Sequence, residues 1–259
     1  MSRGAIALLA LMAASGPVGA QTQQPPAPGG IAFFPRFDFY AGLERLSGDD
    51  PRFVWDANFK GDIDLVDYGA GRVAFVANYE AILGREFREF DPNQGNYILE
   101  GSVSARRSAL EFAAVFHHVS RHLSDRPKRF PVDWNMIGGR VGATATKGRT
   151  ELQGHADLRR VVQRTFVDYR WEFESGARAR MHIRPRTALM AAGAIQLLGV
   201  DGSRNRGAQH GVRGEGGIRV EGRGAALELF AAVERRVDPY QLMFSTATWV
   251  SAGFRLVGR

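Results

Sequence analysis

Residues 168–183 read Asp168-Tyr169-Arg170-Trp171-Glu172-Phe173-Glu174-Ser175-Gly176-Ala177-Arg178-Ala179-Arg180-Met181-His182-Ile183. In steps of two they separate into Tyr169, Trp171, Phe173, Ser175, Ala177, Ala179, Met181 and Ile183 on one side. The interleaved set is Asp168, Arg170, Glu172, Glu174, Gly176, Arg178, Arg180 and His182. A helix repeats about every 3.6 residues and cannot sort a sequence this way, whereas a strand repeats every two. The run exceeds the roughly 5–6 residues usual in a soluble sheet. It suits a tilted strand crossing a bilayer, which takes about 9–11 residues plus its extensions.

The same division recurs along the chain. Tyr97, Leu99, Val103 and Ala105 oppose Asn96, Glu100, Ser102 and Arg106; Leu227, Leu229, Ala231 and Val233 oppose Glu228 and Glu234. Alternation alone does not separate a soluble sandwich from a membrane barrel. Connection lengths do. Strands are expected at 36–46, 53–67, 72–84, 96–106, 109–121, 134–147, 150–162, 167–182, 187–199, 209–221, 225–236 and 245–257. Tight turns such as Gly69-Ala70-Gly71, Arg107-Ser108 and Lys147-Gly148-Arg149 alternate with longer stretches at 85–95, 122–133, 200–208 and 237–244. Short inner turns alternating with longer outer loops define a transmembrane, antiparallel, up-and-down β-barrel. Twelve strands is the count, with ten as the fallback.

The N-terminus supports export. Met1-Ser2-Arg3 precedes an apolar run from Ala5 to Ala14 and the small-residue exit Val18-Gly19-Ala20, so residues 1–20 read as a signal peptide. Residues 21–32 read as a proline-rich periplasmic linker and 33–259 as the barrel, in a bacterial outer membrane. The chain has no cysteine, which excludes disulfides, thiolate metal sites, a cysteine nucleophile and lipid attachment through an N-terminal cysteine. The net charge of +7 on an exported chain points to phospholipid or lipopolysaccharide phosphate, and no motif suggests nucleic acid. The inward positions carry both signs, among them Lys60, Glu100, Arg140, Arg170, Glu228 and Arg255. Such side chains can pair across a barrel of about twelve strands, so a filled lumen is expected rather than the wide pore of about 16–18 strands.

One constellation carries chemistry. The fifth strand ends Phe116-His117-His118-Val119-Ser120-Arg121-His122-Leu123-Ser124-Asp125, and the sixth opens Asp133-Trp134-Asn135. Leu110, Phe112 and Phe116 put even positions toward lipid, which places His118 and Ser120 outside; Arg140 and Trp134 are inward, so Asn135 is outward. Serine needs a base for its proton, and histidine needs a third group to fix its tautomer.

These residues resemble outer-membrane phospholipase A, which has a His-x-Ser strand, a Ser-Asp loop and a Trp-Asn opening the next strand. Lipid A deacylases use a similar His-x-Ser. The matching residues are His118-Val119-Ser120, Ser124-Asp125 and Trp134-Asn135. The resemblance implies Ser120 as nucleophile, His118 as base and Asn135 as its orienter. It further implies a calcium-dependent oxyanion site near Ser124 and Asp125, acyl esters of outer-leaflet phospholipids as substrate, and a homodimer. Arg121-His122 departs from the family, where an Asn-Gly pair is usual, and the loop is longer. More of the chain resembles a group of bacterial outer-membrane barrels with no assigned activity, through Gly61-Asp62-Ile63-Asp64, Phe90 to Gly95 and His117 to Asp125.

A non-catalytic reading stands beside this one. His118, Ser120, His122 and Asn135 can form an interfacial hydrogen-bond belt or tie down the loop at 122–133 on a structural or lipopolysaccharide-contacting barrel. A narrow channel is the further alternative. Asp91-Pro92-Asn93-Gln94-Gly95 is rich in turn formers and reads as a loop clamp.

Overall fold

The computed structural model describes residues 30–124, 130–240 and 242–258; the expected leader lies outside them, as does most of the linker. The strands are β1 (Ala32–Leu46), β2 (Trp55–Asp67), β3 (Arg72–Gly84), β4 (Asp91–Arg107), β5 (Leu110–His122) and β6 (Val132–Lys147). They continue with β7 (Thr150–Thr165), β8 (Tyr169–Arg184), β9 (Thr187–Val200), β10 (Gln209–Glu221), β11 (Ala225–Val237) and β12 (Thr246–Gly258). Each pairs antiparallel with its sequence neighbours, and β1 pairs with β12 from Tyr40↔Val257 to Leu46↔Ser251, which closes the barrel at twelve strands.

The two-residue period does the sorting. Phe112 and Phe116 on β5, Leu229 and Val233 on β11 and Val250 and Phe254 on β12 are all exposed on the outside. Among soluble proteins so continuous an apolar exterior would be a liability; here it is the surface that meets hydrocarbon. The interior is the polar side. Arg255 and Glu228 are wholly buried and joined to each other, with Arg219 Nη1 2.8 Å from the same carboxylate and Arg178 Nη1 at 3.6 Å. Other pairs cross the lumen: Arg213 of β10 donates to Glu44 of β1 at 3.0 Å, and Arg236 of β11 to Asp56 of β2 at 2.7 Å. The lumen is therefore braced by ions, as the mixed-charge inward face predicts.

Its outer end is packed differently. Val119, Val132, Trp134, Met136, Tyr169 and Leu198 form an apolar cluster inside the loop-side mouth, and Leu46, Phe53, Ile82 and Trp249 form a second. Above the first, Arg206 holds Asp168 and Asp238 together, with Nε 2.8 Å from Asp168 and Nη1 2.8 Å from Asp238. A cavity of about 390 Å³ remains below, with Lys60, Asn78, Glu100 and Arg140 among its lining residues.

Three expectations need correction. β4 begins at Asp91, not 96, so Asp91 to Gly95 is strand and the preceding loop shortens to 85–90. Buried Asn93 and Gln94 explain this: their amides donate to the carbonyls of Arg52 at 3.0 Å and Pro239 at 2.6 Å. The segment does clamp two loops, but from within a strand. β1 likewise starts earlier, at Ala32. Arg170, expected in the lumen, is exposed on the outside. The register between β8 and β9 slips between Tyr169 and Trp171, and this bulge resets the parity so that Tyr169 and Glu172 both face inward.

The bulge also positions Trp171, whose indole lies over Gly199 on β9. A Cβ at residue 199 would sit 2.0 Å from the indole Nε1. Gly199→Ala should therefore expel the ring from this seat while leaving the barrel closed. Quenching of tryptophan fluorescence by lipids brominated near the head group would report it; an unaltered profile would show that the indole does not need the glycine.

Candidate active site

The site is built on the outward faces of β5 and β6, at their loop-side ends. On β5, Leu110, Phe112 and Phe116 are exposed, while His117 turns inward to Glu100, with Nδ1 2.9 Å from Oε2. His118, Ser120 and His122 thus share the outer face. On β6, Trp134 and Met136 are buried inside and Ile137 is exposed, so Asn135 is outward. The ladder places His118 directly opposite Asn135 and Ser120 opposite Asp133.

His118 Nδ1 lies 2.6 Å from Asn135 Oδ1. An amide oxygen only accepts, so the imidazole must donate from Nδ1, which leaves Nε2 unprotonated in the neutral ring. The amide is fixed in turn, because Asn135 Nδ2 donates to Gln163 of β7. Ser120 Oγ lies 2.9 Å from the Nε2 of His122. His122 stands edge-on to Tyr97 with ring centroids 5.2 Å apart, and Tyr97 packs on Tyr79 at 4.8 Å. No direct hydrogen bond joins Ser120 to His118 among the described residues. The serine sits midway between two imidazoles on one face, and rotation about its χ1 swings Oγ from one side to the other.

The sequence reading thus brought His118, Ser120 and Asn135 together on the correct face. It gave His122 only a belt role and missed Gln163. Strand parity alone carried the signal for His122, two residues beyond Ser120. Gln163 had none: the register slips between Asn135 and Met136, which shifts Gln163 outward by one position.

Among the described residues no calcium site is complete. Calcium takes about 6–8 oxygen ligands. Asp125 lies outside the described residues. Ser124 adopts a left-handed φ of 50°, and Asp133 keeps one carboxylate oxygen, Oδ1, buried without a hydrogen-bond partner. No group of three or more metal-ligating side chains occurs among the described residues.

A closed, antiparallel, twelve-stranded barrel with an apolar exterior and an ion-paired lumen is a bacterial outer-membrane β-barrel. No family model matches the chain, and no curated protein does. Solved structures do. The outer membrane phospholipase of Salmonella typhi, a dimer with bound calcium, superposes with a TM-score of 0.54 at 11% identity, covering 90% of this chain and 93% of that one. Outer membrane phospholipase A from Escherichia coli gives 0.53 at 12% identity, covering 88% and 98%. LpxR from Salmonella typhimurium gives 0.49 at 8%, covering 85% and 99%. At these identities the likeness to the two phospholipases bears on the fold alone.

Proposed function

We propose that the protein hydrolyses acyl esters of outer-leaflet lipids, with Ser120 as nucleophile, His118 as general base and Asn135 as the group that orients it. The observation that carries this reading is the 2.6 Å contact between His118 Nδ1 and Asn135 Oδ1 on the lipid-facing side, beside a serine hydroxyl already in contact with an imidazole. His118 Nε2 takes the hydroxyl proton as Oγ bonds to the acyl carbon. The imidazolium returns that proton to the leaving alkoxide, releasing the lysolipid. Water, deprotonated by the same nitrogen, then cleaves the acyl-serine and restores the hydroxyl. His122 holds the serine in its resting rotamer.

Calcium belongs to the proposal as a cofactor bound near Ser124 and Asp125, and a homodimer as the active form. The dimeric, calcium-bound phospholipase of the same fold supports both. Refolded protein in detergent should release fatty acid from phospholipid in the presence of calcium and stop when a chelator is added. Ser120→Ala should lower the rate by at least about 10⁴. A folded wild type that releases no fatty acid would overturn the assignment.

A second reading has its own support. Tyr97, His122 and Ser120 on one side, and His118, Asn135 and Gln163 on the other, leave no site side chain stranded toward lipid. Such satisfaction is what a non-catalytic interfacial belt requires, on a structural or lipopolysaccharide-contacting barrel. Under it, Ser120→Ala changes no measurable rate. Apolar packing at the outer mouth argues against a narrow channel.

A further inference from the structure

The two ends of the barrel carry charge differently. At the loop end cations meet carboxylates: Arg52 holds Asp50 at 2.7 Å, Arg164 holds Asp201 at 2.6 Å, and Arg206 joins Asp168 to Asp238. At the turn end, which faces the periplasm, the tight connections carry Arg107, Lys147, Arg149, Arg184, Arg186 and Arg223, all exposed. None of these six side chains makes an ion pair or hydrogen bond among the described residues. The carboxylates of that end have other partners. Asp67 accepts from Arg106 at 2.9 Å and Glu221 from Arg219 at 3.1 Å, while Glu151 lies 3.0 Å from His182 Nε2.

Apolar residues close by give these cations their height. Ile183 directly precedes Arg184, and Leu110, Leu189, Val220 and Leu227 stand within four residues of Arg107, Arg186 or Arg223. All five are exposed on the lipid-facing wall. The cations therefore stand where hydrocarbon gives way to head groups, a level that tolerates unpaired charge as the midplane does not. Their stems can lie along the apolar wall with the charged ends among the head groups. They also follow the circumference. The four turns join β4 to β5, β6 to β7, β8 to β9 and β10 to β11, so the charge recurs at every second strand along an arc of eight. At about 4.8 Å between strands, successive turns are roughly 10 Å apart. A protein docking from the periplasm would meet one patch of this rim. What touches every turn along the arc is the leaflet around it.

We infer that these six cations form a collar that binds the phosphodiester head groups of anionic phospholipids in the periplasmic leaflet. Five of the six are arginines, whose planar fork donates two parallel hydrogen bonds to phosphate oxygens. The engaged carboxylates decide which phospholipid. With Asp67, Glu151 and Glu221 occupied, none of the three is left for the ammonium of a zwitterionic head group. Phosphatidylglycerol, whose head group carries the phosphate charge alone, gains from the collar. Phosphatidylethanolamine brings a second, positive charge that the collar repels. The collar does not rest on the proposed hydrolase, whose residues lie at the opposite ends of β5 and β6.

The test compares wild type with two triple variants. R149Q/R186Q/R223Q removes one cation from each of three successive turns, and R85Q/R88Q/R204Q removes three exposed cations from the loop end. Folding of each is checked by its heat-modifiable migration on a denaturing gel. Native mass spectrometry from detergent then measures retention of phosphatidylglycerol against phosphatidylethanolamine. Both lipids carry the same ether-linked chains, which ester hydrolysis leaves intact, so the result stands whether or not the protein is a hydrolase. Wild type should prefer phosphatidylglycerol at least about tenfold, and the preference should fall at least about fivefold in R149Q/R186Q/R223Q while R85Q/R88Q/R204Q keeps it. Excess inorganic phosphate should not displace the lipid, because its chains on the apolar wall help to hold it. Displacement would reduce the collar to a free-phosphate site and overturn the lipid assignment. An equal fall in both triple variants would make the preference a matter of net charge. An unchanged preference in R149Q/R186Q/R223Q would leave the rim to an acidic protein partner. Either result would overturn the collar, as would a wild type with no preference.

Discussion

Replacing His118 by asparagine should lower lipid ester hydrolysis at least about a thousandfold, whereas His122→Asn should cost less than about tenfold. The two histidines flank Ser120 symmetrically in sequence but not in chemistry. His118 has its Nδ1 proton assigned by Asn135 Oδ1 at 2.6 Å, which frees Nε2 as a base and stabilises the imidazolium formed when it takes the serine proton. His122 uses Nε2 to contact Ser120 and packs against Tyr97. Its loss removes a resting contact of the hydroxyl, not the orienting amide. Asn135→Ala should fall between, because His118 would keep its nitrogen and lose its orientation. Initial rates on a micellar phospholipid would rank the three. If His122→Asn proved the more damaging, the base would be His122, and the pairing of His118 with Asn135 would become part of the interfacial belt.

Glu228→Ala should destabilise the barrel by about 3–5 kcal/mol, the range for breaking a buried ionic cluster from one side. Glu228 is wholly buried and accepts from Arg219 at 2.8 Å and from Arg255, with Arg178 close by. Truncating it leaves three buried guanidinium groups sharing Glu215 and the partly exposed Glu221. The penalty is that of stranded charge rather than of lost attraction. Removing a stranded cation as well, in Glu228→Ala with Arg219→Met, should recover part of the stability. Equilibrium unfolding by urea in detergent would measure both changes, and a Glu228→Ala midpoint equal to wild type would refute the account.

The fold was legible because a membrane barrel writes its two solvents into alternate residues. Most strand bodies between Arg72 and Val257 follow from parity and turn length. Legibility failed where the period broke. Parity puts Arg170 in the lumen because nothing in Tyr169-Arg170-Trp171 announces a bulge, and Asp91 to Gly95 reads as a turn because its residues favour turns locally. In the folded chain the side-chain amides of Asn93 and Gln94 meet carbonyls on distant loops, a tertiary gain that overrides local preference. The site was half legible for the same reason. His118, Ser120 and Asn135 followed from parity. The contact between Ser120 and His122 depends on a rotamer, and that of Asn135 with Gln163 on a register slip. Neither is encoded in spacing.

The pairs that cross the lumen bear on stiffness. Arg213 with Glu44 and Arg236 with Asp56 tie β10 and β11 to β1 and β2 through the interior, like spokes drawn tight across a rim. An empty tube under lateral pressure flattens, and the curvature of its wall changes most at the ends of the long diameter. A spoked one stays round. On the outer surface, roundness fixes the angle between neighbouring strands and hence the separation of side chains on β5, β6 and β7. The arginines and carboxylates that never meet lipid thereby keep His118, Asn135 and Gln163 in alignment on the side that does.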